Sequence, residues 1–368
     1  MKLERIEMHQ LEATLNFRFE TSFGVEQTFH KILVIVHSDG VEGYGETTAG
    51  NWPGYSYETA DTTWHALEHY IIPRVIGKDF ATPAQLLQTL KGIRGHNMAV
   101  AGLESALWDA QAKAANLPLW QLLGGVTTEI PVGASIGIQE SIEKTVEMAQ
   151  QHAEQAYKRL KFKIKPGWDV KPMRAVRAAL PDMPLTVDAN SAYTLTDART
   201  FQQLDELGLD YIEQPLAYDD LIDHAKLQAM LATPICLDES IHSPEDTRKG
   251  LEMGSGRVIN IKMGRSRGHV MSRRIHDVAL SFAFPVWCGG MLEMGVGRAH
   301  NLHLSSLENF KLPGDTSSAS RYYAEDIVEP VLDAVDGIQH IPAGAGLGVT
   351  LKHDFIKSIT QRSAAFPS

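Results

Sequence analysis

Five charged residues recur through the middle of the chain at a nearly constant interval. Lys163, Asp188, Glu213, Asp238 and Lys262 are separated by 25, 25, 25 and 24 residues. An interval of that size is one strand–helix unit, and each residue stands at the end of a short apolar run: 160–164, 185–189, 211–213, 235–237 and 258–261. Further runs at 132–136, 285–287 and 310–312 complete a set of eight predicted strands. Amphipathic patterns such as 141–157, 196–207 and 243–253 fill the gaps between them. Strand–helix alternation predicts a parallel sheet, and so many strands in succession predict a closed TIM-type barrel of the α/β class.

Side-chain alternation then sorts inside from outside. In Leu160-Lys161-Phe162-Lys163-Ile164 the apolar residues must face the helices, which turns Lys161 and Lys163 toward the barrel axis. The same logic sends Thr186, Asp188 and Asn190 inward, then Cys236 with Asp238, and Asn260 with Lys262. Barrel enzymes carry their chemistry at the C-terminal ends of the strands, where all of these charges converge. Three carboxylates on adjacent strands repel one another and lose hydration unless an opposite charge cancels them. An all-oxygen set without His or Cys suits Mg²⁺, or Mn²⁺, better than zinc. A barrel core knitted by ion pairs alone is the competing reading, and the cost of buried unpaired charge weighs against it.

Residues 1–125 have a different texture, α+β, with strands around 3–15, 32–36 and 41–44 and helices near 57–75, 83–93 and 98–115. Segments 21–27 and 48–55 are predicted loops. The barrel would occupy 126–320, and residues 321–368 return to strand-like texture and should pack back on the first domain. The formal net charge of −11, with no long Lys/Arg cluster, argues against a nucleic-acid surface. No apolar stretch has membrane-spanning length, and the N-terminus lacks the apolar core of a signal peptide, so a cytoplasmic location is expected. Cys236 and Cys288 lack zinc spacing and are expected as barrel-filling thiols. The Gly-rich run 343–348 is followed by too few residues for a dinucleotide unit and is expected to be a turn. His276-Asp277 falls in a helical stretch, as a surface or packed pair.

With these residues in place, the chain resembles the enolase superfamily, in particular its muconate-lactonizing subgroup, with Lys161-Phe162-Lys163 on the second barrel strand and Lys262 on the sixth. Within that subgroup it is similar to the o-succinylbenzoate synthase / N-succinylamino acid racemase family. The stretches Phe17-Arg18-Phe19-Glu20-Thr21-Ser22-Phe23-Gly24, Lys163-Ile164-Lys165-Pro166-Gly167-Trp168-Asp169, Gly289-Gly290-Met291-Leu292-Glu293 and Leu312-Pro313-Gly314-Asp315 carry the likeness. The resemblance covers essentially the whole chain and implies a (β/α)7β barrel beneath an α+β cap. It implies Mg²⁺ on Asp188, Glu213 and Asp238, with Lys163 and Lys262 as acid–base groups on opposite faces of a small carboxylate substrate. Lys161 would help hold the substrate carboxylate; Ser135, Asn190, Arg265, Met291 and Glu293 would line the pocket. A homo-oligomer, dimer or octamer, is implied as well.

The implied chemistry is removal of a proton next to a carboxylate through an enediolate, followed either by loss of a β-hydroxyl or by return of a proton to the other face. A base lysine must be neutral, and its pKa is expected to be lowered toward roughly 7–8. Cap loops near 19–23 and 51–55 should cover the barrel mouth. The chain departs from the family at Met294, where a small hydroxyl residue is usual. Muconate cycloisomerase fits the same motifs. Mandelate-racemase-like enzymes fit less well, since no His ends the seventh strand. Dipeptide epimerases fit less well because Asp315 stands alone where they carry Asp-x-Asp. A non-catalytic barrel would not need the full set of carboxylates and lysines that this chain retains.

Overall fold

The computed structural model describes residues 1–367. The N-terminal strands β1 (Arg5–Thr21), β2 (Gly24–Ser38) and β3 (Val41–Glu46) form an antiparallel meander. Asp39-Gly40 joins β2 to β3 with φ of 51° and 78°, the left-handed pair that a tight two-residue hairpin requires. Segment 21–27, expected as a loop, is instead the tip of the β1–β2 hairpin. Its ladder runs through Thr21↔Gly24 and Phe19↔Glu26, leaving only two residues in the turn. Segment 48–55 is irregular, as expected.

Period-two alternation gives this sheet two buried faces. Met8, Ile32, Val34 and Val36 pack on the cap helices Ala60–Ala66, Pro83–Thr89 and Asn97–Ala114. Leu11, Phe29, Leu33 and Ile35 face the other way and join the core that surrounds the barrel. A one-residue slip of β2 would exchange the two sets, so its register is firmly fixed.

After a short strand β4 (Glu129–Pro131), the barrel strands follow as β5 (Ala134–Ile136), β6 (Leu160–Lys163), β7 (Leu185–Asp188), β8 (Tyr211–Glu213), β9 (Ile235–Leu237), β10 (Val258–Ile261) and β11 (Val286–Cys288). They form one parallel sheet in sequence order, each followed by a helix. The eighth position is not a regular strand. Residues 309–315 close the ring through isolated parallel bridges, Val286↔Phe310 on one side and Val132↔Gly314 on the other. Pro313 lacks an N–H and cannot take part in a continuous ladder there.

The outward residues Leu185, Val187, Ile235, Leu237, Ile259 and Ile261 pack under the helices. Tyr211, Cys236, Val258 and Trp287 fill the floor inside the barrel. Cys236 is therefore the barrel-filling thiol; Cys288 faces outward into the helix-side core, one residue out of phase with the inward Trp287. The chain end returns to both units: β12 (Val328–Glu329) pairs with β14 (Thr350–Leu351), β13 (Ile338–His340) with β4, and β15 (Thr360–Pro367) runs antiparallel to β1. Residues 343–348 form a turn whose Leu347 N–H donates to Asp109. His276 is a packed pair with Asp277, and its Nε2 accepts from the Asn309 N–H at the start of the closing segment. Among the described residues no helix is long and apolar enough to cross a membrane.

Buried carboxylates fasten the cap to the barrel at helix N-termini, where backbone N–H groups lack intrahelical partners. Glu46, at the end of β3, accepts from Met294 and Gly297 and so caps the barrel helix Gly295–Leu304. Glu104, in the middle of Asn97–Ala114, accepts from His269 and Val270 and caps His269–Ser281, while Trp108 also donates to it. Gly268 has φ 106° and lies so close that an added Cβ would overlap the Glu104 carboxylate. Burial raises the Glu104 carboxyl to about 7 against the pull of those three donors.

Glu104→Ala should lower unfolding stability by about 2–4 kcal/mol, because it leaves buried N–H groups without acceptors. With its folded pKa raised, the Glu104 contribution is complete below the unfolded value near 4.5 and declines as pH rises through about 7. Urea unfolding of both proteins should therefore show a wider gap at pH 5 than at pH 8; a gap that widens with pH would contradict the assignment.

Candidate active site

Parallel register sets the charged residues side by side: Lys163 aligns with Asp188, and Asp188 with Glu213. Asp238 and Lys262 are the residues immediately after β9 and β10. All five of the spaced residues thus meet at the C-terminal rim, with both metal-type carboxylates and lysines turned inward. Asp188, Glu213 and Asp238 are fully buried, and Lys161 and Lys262 nearly so.

Each carboxylate is turned onto a cation. Lys163 Nζ donates to Asp188 at 2.7 Å and to Asn190 Oδ1 at 2.7 Å. Lys161 Nζ lies 3.0 Å from Glu213, 3.5 Å from Asp188 and 2.7 Å from Asp315. Lys262 Nζ donates to Asp238 at 2.7 Å and to the Tyr55 hydroxyl at 3.0 Å. Arg265 binds Asp238 as well, and it donates to Tyr55 and to the carbonyls of Asn260 and Ile241. The other oxygen of Glu213 accepts from Asn260 at 2.7 Å.

The electrostatics follow from burial and from these pairs. Burial pushes Glu213 up and Asp188 pushes it further, against Lys161, leaving it at about 7. Glu239, next to Asp238, is raised to about 8 by burial and by Asp238 and Asp188. Its Oε1 accepts from Asn190, but its buried Oε2 has no hydrogen-bond partner. Burial would lower Lys262, yet Asp238 and Tyr55 outweigh it and hold the lysine well above its ordinary value. The expected lowering is therefore not met in this arrangement, because Asp238 is spent on the lysine.

No preformed cage of three acidic, His or Cys side chains exists among the described residues, since the carboxylates point at cations instead of one another. The donor chemistry nevertheless fits a hard divalent cation. The site offers only oxygen ligands, two of its carboxyls, Glu213 and Glu239, are pushed up by burial and by the neighbouring carboxylates, and one buried carboxylate oxygen is orphaned.

Of the pocket residues, Ser135 donates to Asp315 and borders a small chamber with Lys161, Glu293 and Arg298. Asn190, with φ 42°, bridges Lys163 and Glu239. Met291 contributes mainly its backbone: its carbonyl accepts from Lys31 and its N–H donates to Glu293. Met294 borders neither this chamber nor the cavity under the cap; it is buried in the core at the head of Gly295–Leu304. Its departure from the family pattern therefore falls on packing.

Sequence reasoning missed Asp315, Arg159, Tyr55 and Glu239. Arg159 and Lys161 both bind Asp315 and lie over the Trp287 ring, so the barrel floor has its own ion network. Asp315 could have been found as the inward residue of the closing segment. Tyr55 belongs to the cap loop 51–55 expected over the barrel mouth, but nothing in the sequence singles out its hydroxyl as the partner of Lys262. A cavity lies between cap and rim, with Phe19, Phe23, Trp52 and Tyr55 above and Lys163 and Lys262 below. Ser22 also donates to the Asn190 carbonyl, tying the hairpin tip to the rim.

Residues 144–355 match the family model described as enolase C-terminal domain-like, and residues 5–124 match the N-terminal domain of mandelate racemase / muconate lactonizing enzyme. The chain is 52% identical to an N-succinylamino acid racemase of Thermus thermophilus, over 98% of each chain. It is 49% identical to an o-succinylbenzoate synthase of Geobacillus kaustophilus, over 100% of this chain and 98% of that one. The solved structure of an enolase-superfamily member from Listeria innocua superposes with a TM-score of 0.96 at 36% identity, covering 100% and 99% of the two chains. A barrel whose strand ends gather three buried carboxylates between lysines, under a cap that closes the mouth, and likeness over the whole length place this chain in the mandelate racemase / muconate lactonizing enzyme family of the enolase superfamily.

Proposed function

We propose that the protein is a Mg²⁺-dependent enzyme that removes the proton next to a substrate carboxylate, acting as an o-succinylbenzoate synthase, an N-succinylamino acid racemase, or both. The observation that carries this reading is the rim itself: Lys163 on one side, Lys262 on the other, and three buried carboxylates between them. Enolase-superfamily enzymes typically use Mg²⁺. Asp188, Glu213 and Asp238 would hold it here, where it would supply Lewis-acid stabilisation to the substrate carboxylate.

The chain's own residues supply the rest. Lys161, held as a cation by Asp315, Glu213 and Asp188 against the cost of burial, places fixed positive charge where negative charge develops. Asn190 aims Lys163 through its 2.7 Å hydrogen bond. Tyr55 and Arg265 aim Lys262, and Arg265 adds a second cation beside it. With Asp238 committed to a divalent cation, its pull on Lys262 would weaken, and burial and the neighbouring Arg265 would favour the neutral lysine that a base must be. With one lysine on each side, a proton removed by one and returned by the other inverts the α-carbon. Removal on a single side, with a β-hydroxyl leaving, gives dehydration. The cap aromatics exclude water from the charged intermediate. The division of the chain at residues 125 and 320, a homo-oligomeric assembly (dimer or octamer) and a cytoplasmic location belong to the same reading.

Exhaustive chelation should abolish turnover, and Mg²⁺ or Mn²⁺ should restore it. Asp238→Asn should reduce kcat at least about a hundredfold, as loss of a central electrostatic group does; undiminished turnover after chelation would sink the proposal. The two lysines should also separate the reactions. Lys163→Ala should abolish dehydration and racemisation alike. Lys262→Arg keeps the charge but cannot act as a base, so racemisation should fall by about a hundredfold or more while dehydration suffers less. Solvent-deuterium exchange at the α-carbon reads this directly: Lys262→Arg should exchange one enantiomer and not the other, and equal exchange of both would refute the two-sided assignment.

A further inference from the structure

The cap strand β2 carries one charge where its pattern calls for an apolar side chain. Phe29, Lys31 and Leu33 lie on the sheet face turned to the barrel, and Lys31 is only 1% exposed. Its ammonium borders the cavity that also reaches Lys163 and Lys262. It donates to one acceptor, the Met291 carbonyl at 2.8 Å, and forms no salt bridge among the described residues. Burial lowers its pKa, against the pull of Glu46, Glu293 and Glu26, and Glu46 and Glu293 already accept from backbone N–H groups. An ammonium has three donors, so two of those on Lys31 have no protein acceptor. Such a group is costly to bury unless an anion joins it.

The proposed substrates provide that anion. A succinyl group carries a carboxylate at the end remote from the reacting centre, and the compounds in both proposed reactions therefore have two carboxylates. One belongs at the rim. We infer that Lys31 is the specificity residue for the other: its ammonium binds the distal carboxylate of the succinyl chain across the cavity. The assignment rests on the reaction proposed above. It accounts for a lysine inside an otherwise apolar sheet face, and it gives the cap a charge-based means of choosing succinylated substrates over neutral acyl ones. Phe29, whose ring lies 5.2 Å from Nζ, would keep the pair dry.

The test compares an N-succinylamino acid with the same compound methyl-esterified at its distal carboxylate, in the unaltered protein and in Lys31→Met, with Mg²⁺ saturating. Turnover and calorimetric binding are measured together. The unaltered protein should prefer the acid by about ten- to a hundredfold in kcat/KM, mostly through KM, as loss of a charge-assisted hydrogen bond would give. In Lys31→Met that ratio should fall to near one, and Lys31→Arg should keep part of it. Equal handling of acid and ester by the unaltered protein overturns the assignment even if no variant folds. A ratio left intact by Lys31→Met overturns it too, and assigns Lys31 to holding the Met291 loop. Preferential binding of the acid without turnover of either compound would overturn the proposed reaction and leave the Lys31 assignment standing.

Discussion

The structure turns on a balance of buried charge at one end of the barrel. Asp188, Glu213, Asp238, Glu239 and Asp315 stand against Arg159, Lys161, Lys163, Lys262 and Arg265, almost wholly out of water. Removing any one member leaves an opposite charge uncompensated in a poorly polarisable interior, where it costs far more than at the surface. The network is not fully satisfied: Glu213 and Glu239 are held near neutrality and one Glu239 oxygen is orphaned.

Holding that balance dry is the cap's contribution, and the cap is fastened by the same chemistry. Glu46 and Glu104 reach from the cap to the first turns of Gly295–Leu304 and His269–Ser281. Those helices follow β11 and β10, the strands next to the 289–293 loop and Lys262. Displacement of the cap would therefore disturb helix starts that lie a few residues from the reacting groups. At the front, Tyr55 extends this coupling, since one hydroxyl from a cap loop touches Lys262, Arg265 and Asp238. Gly289 completes the fit: an added Cβ would overlap Asn260 and press on Lys262.

The two faces of the cap sheet have different surroundings. The face built on Ile32, Val34 and Val36 only packs, whereas on the other face Leu33 packs in the barrel-side core and Phe29 and Lys31 border the cavity. Phe29, Lys31 and Leu33 stand outside the ion pairs of the barrel rim.

The sequence by itself determined the barrel and the rim. Strand periodicity forces Lys161, Lys163, Asp188, Asp238 and Lys262 inward, and repetition every strand–helix unit puts them at one level; both are local properties of the chain. The hairpin tip at 21–27 was misread because two polar strand ends resemble a loop until their partners are known. The eighth strand was overdrawn because an apolar run does not reveal that Pro313 will break its ladder. Only the tertiary structure decided which charge faces which: that Asp315 closes on Arg159 and Lys161, that Glu239 is left with an open oxygen, and that Tyr55 and Lys31 descend from the cap to the cavity. Those contacts join residues 154 to 260 positions apart or lie on irregular loops, and pairing across such distances is set by closure of the barrel and by how the cap docks on it, which no local pattern encodes.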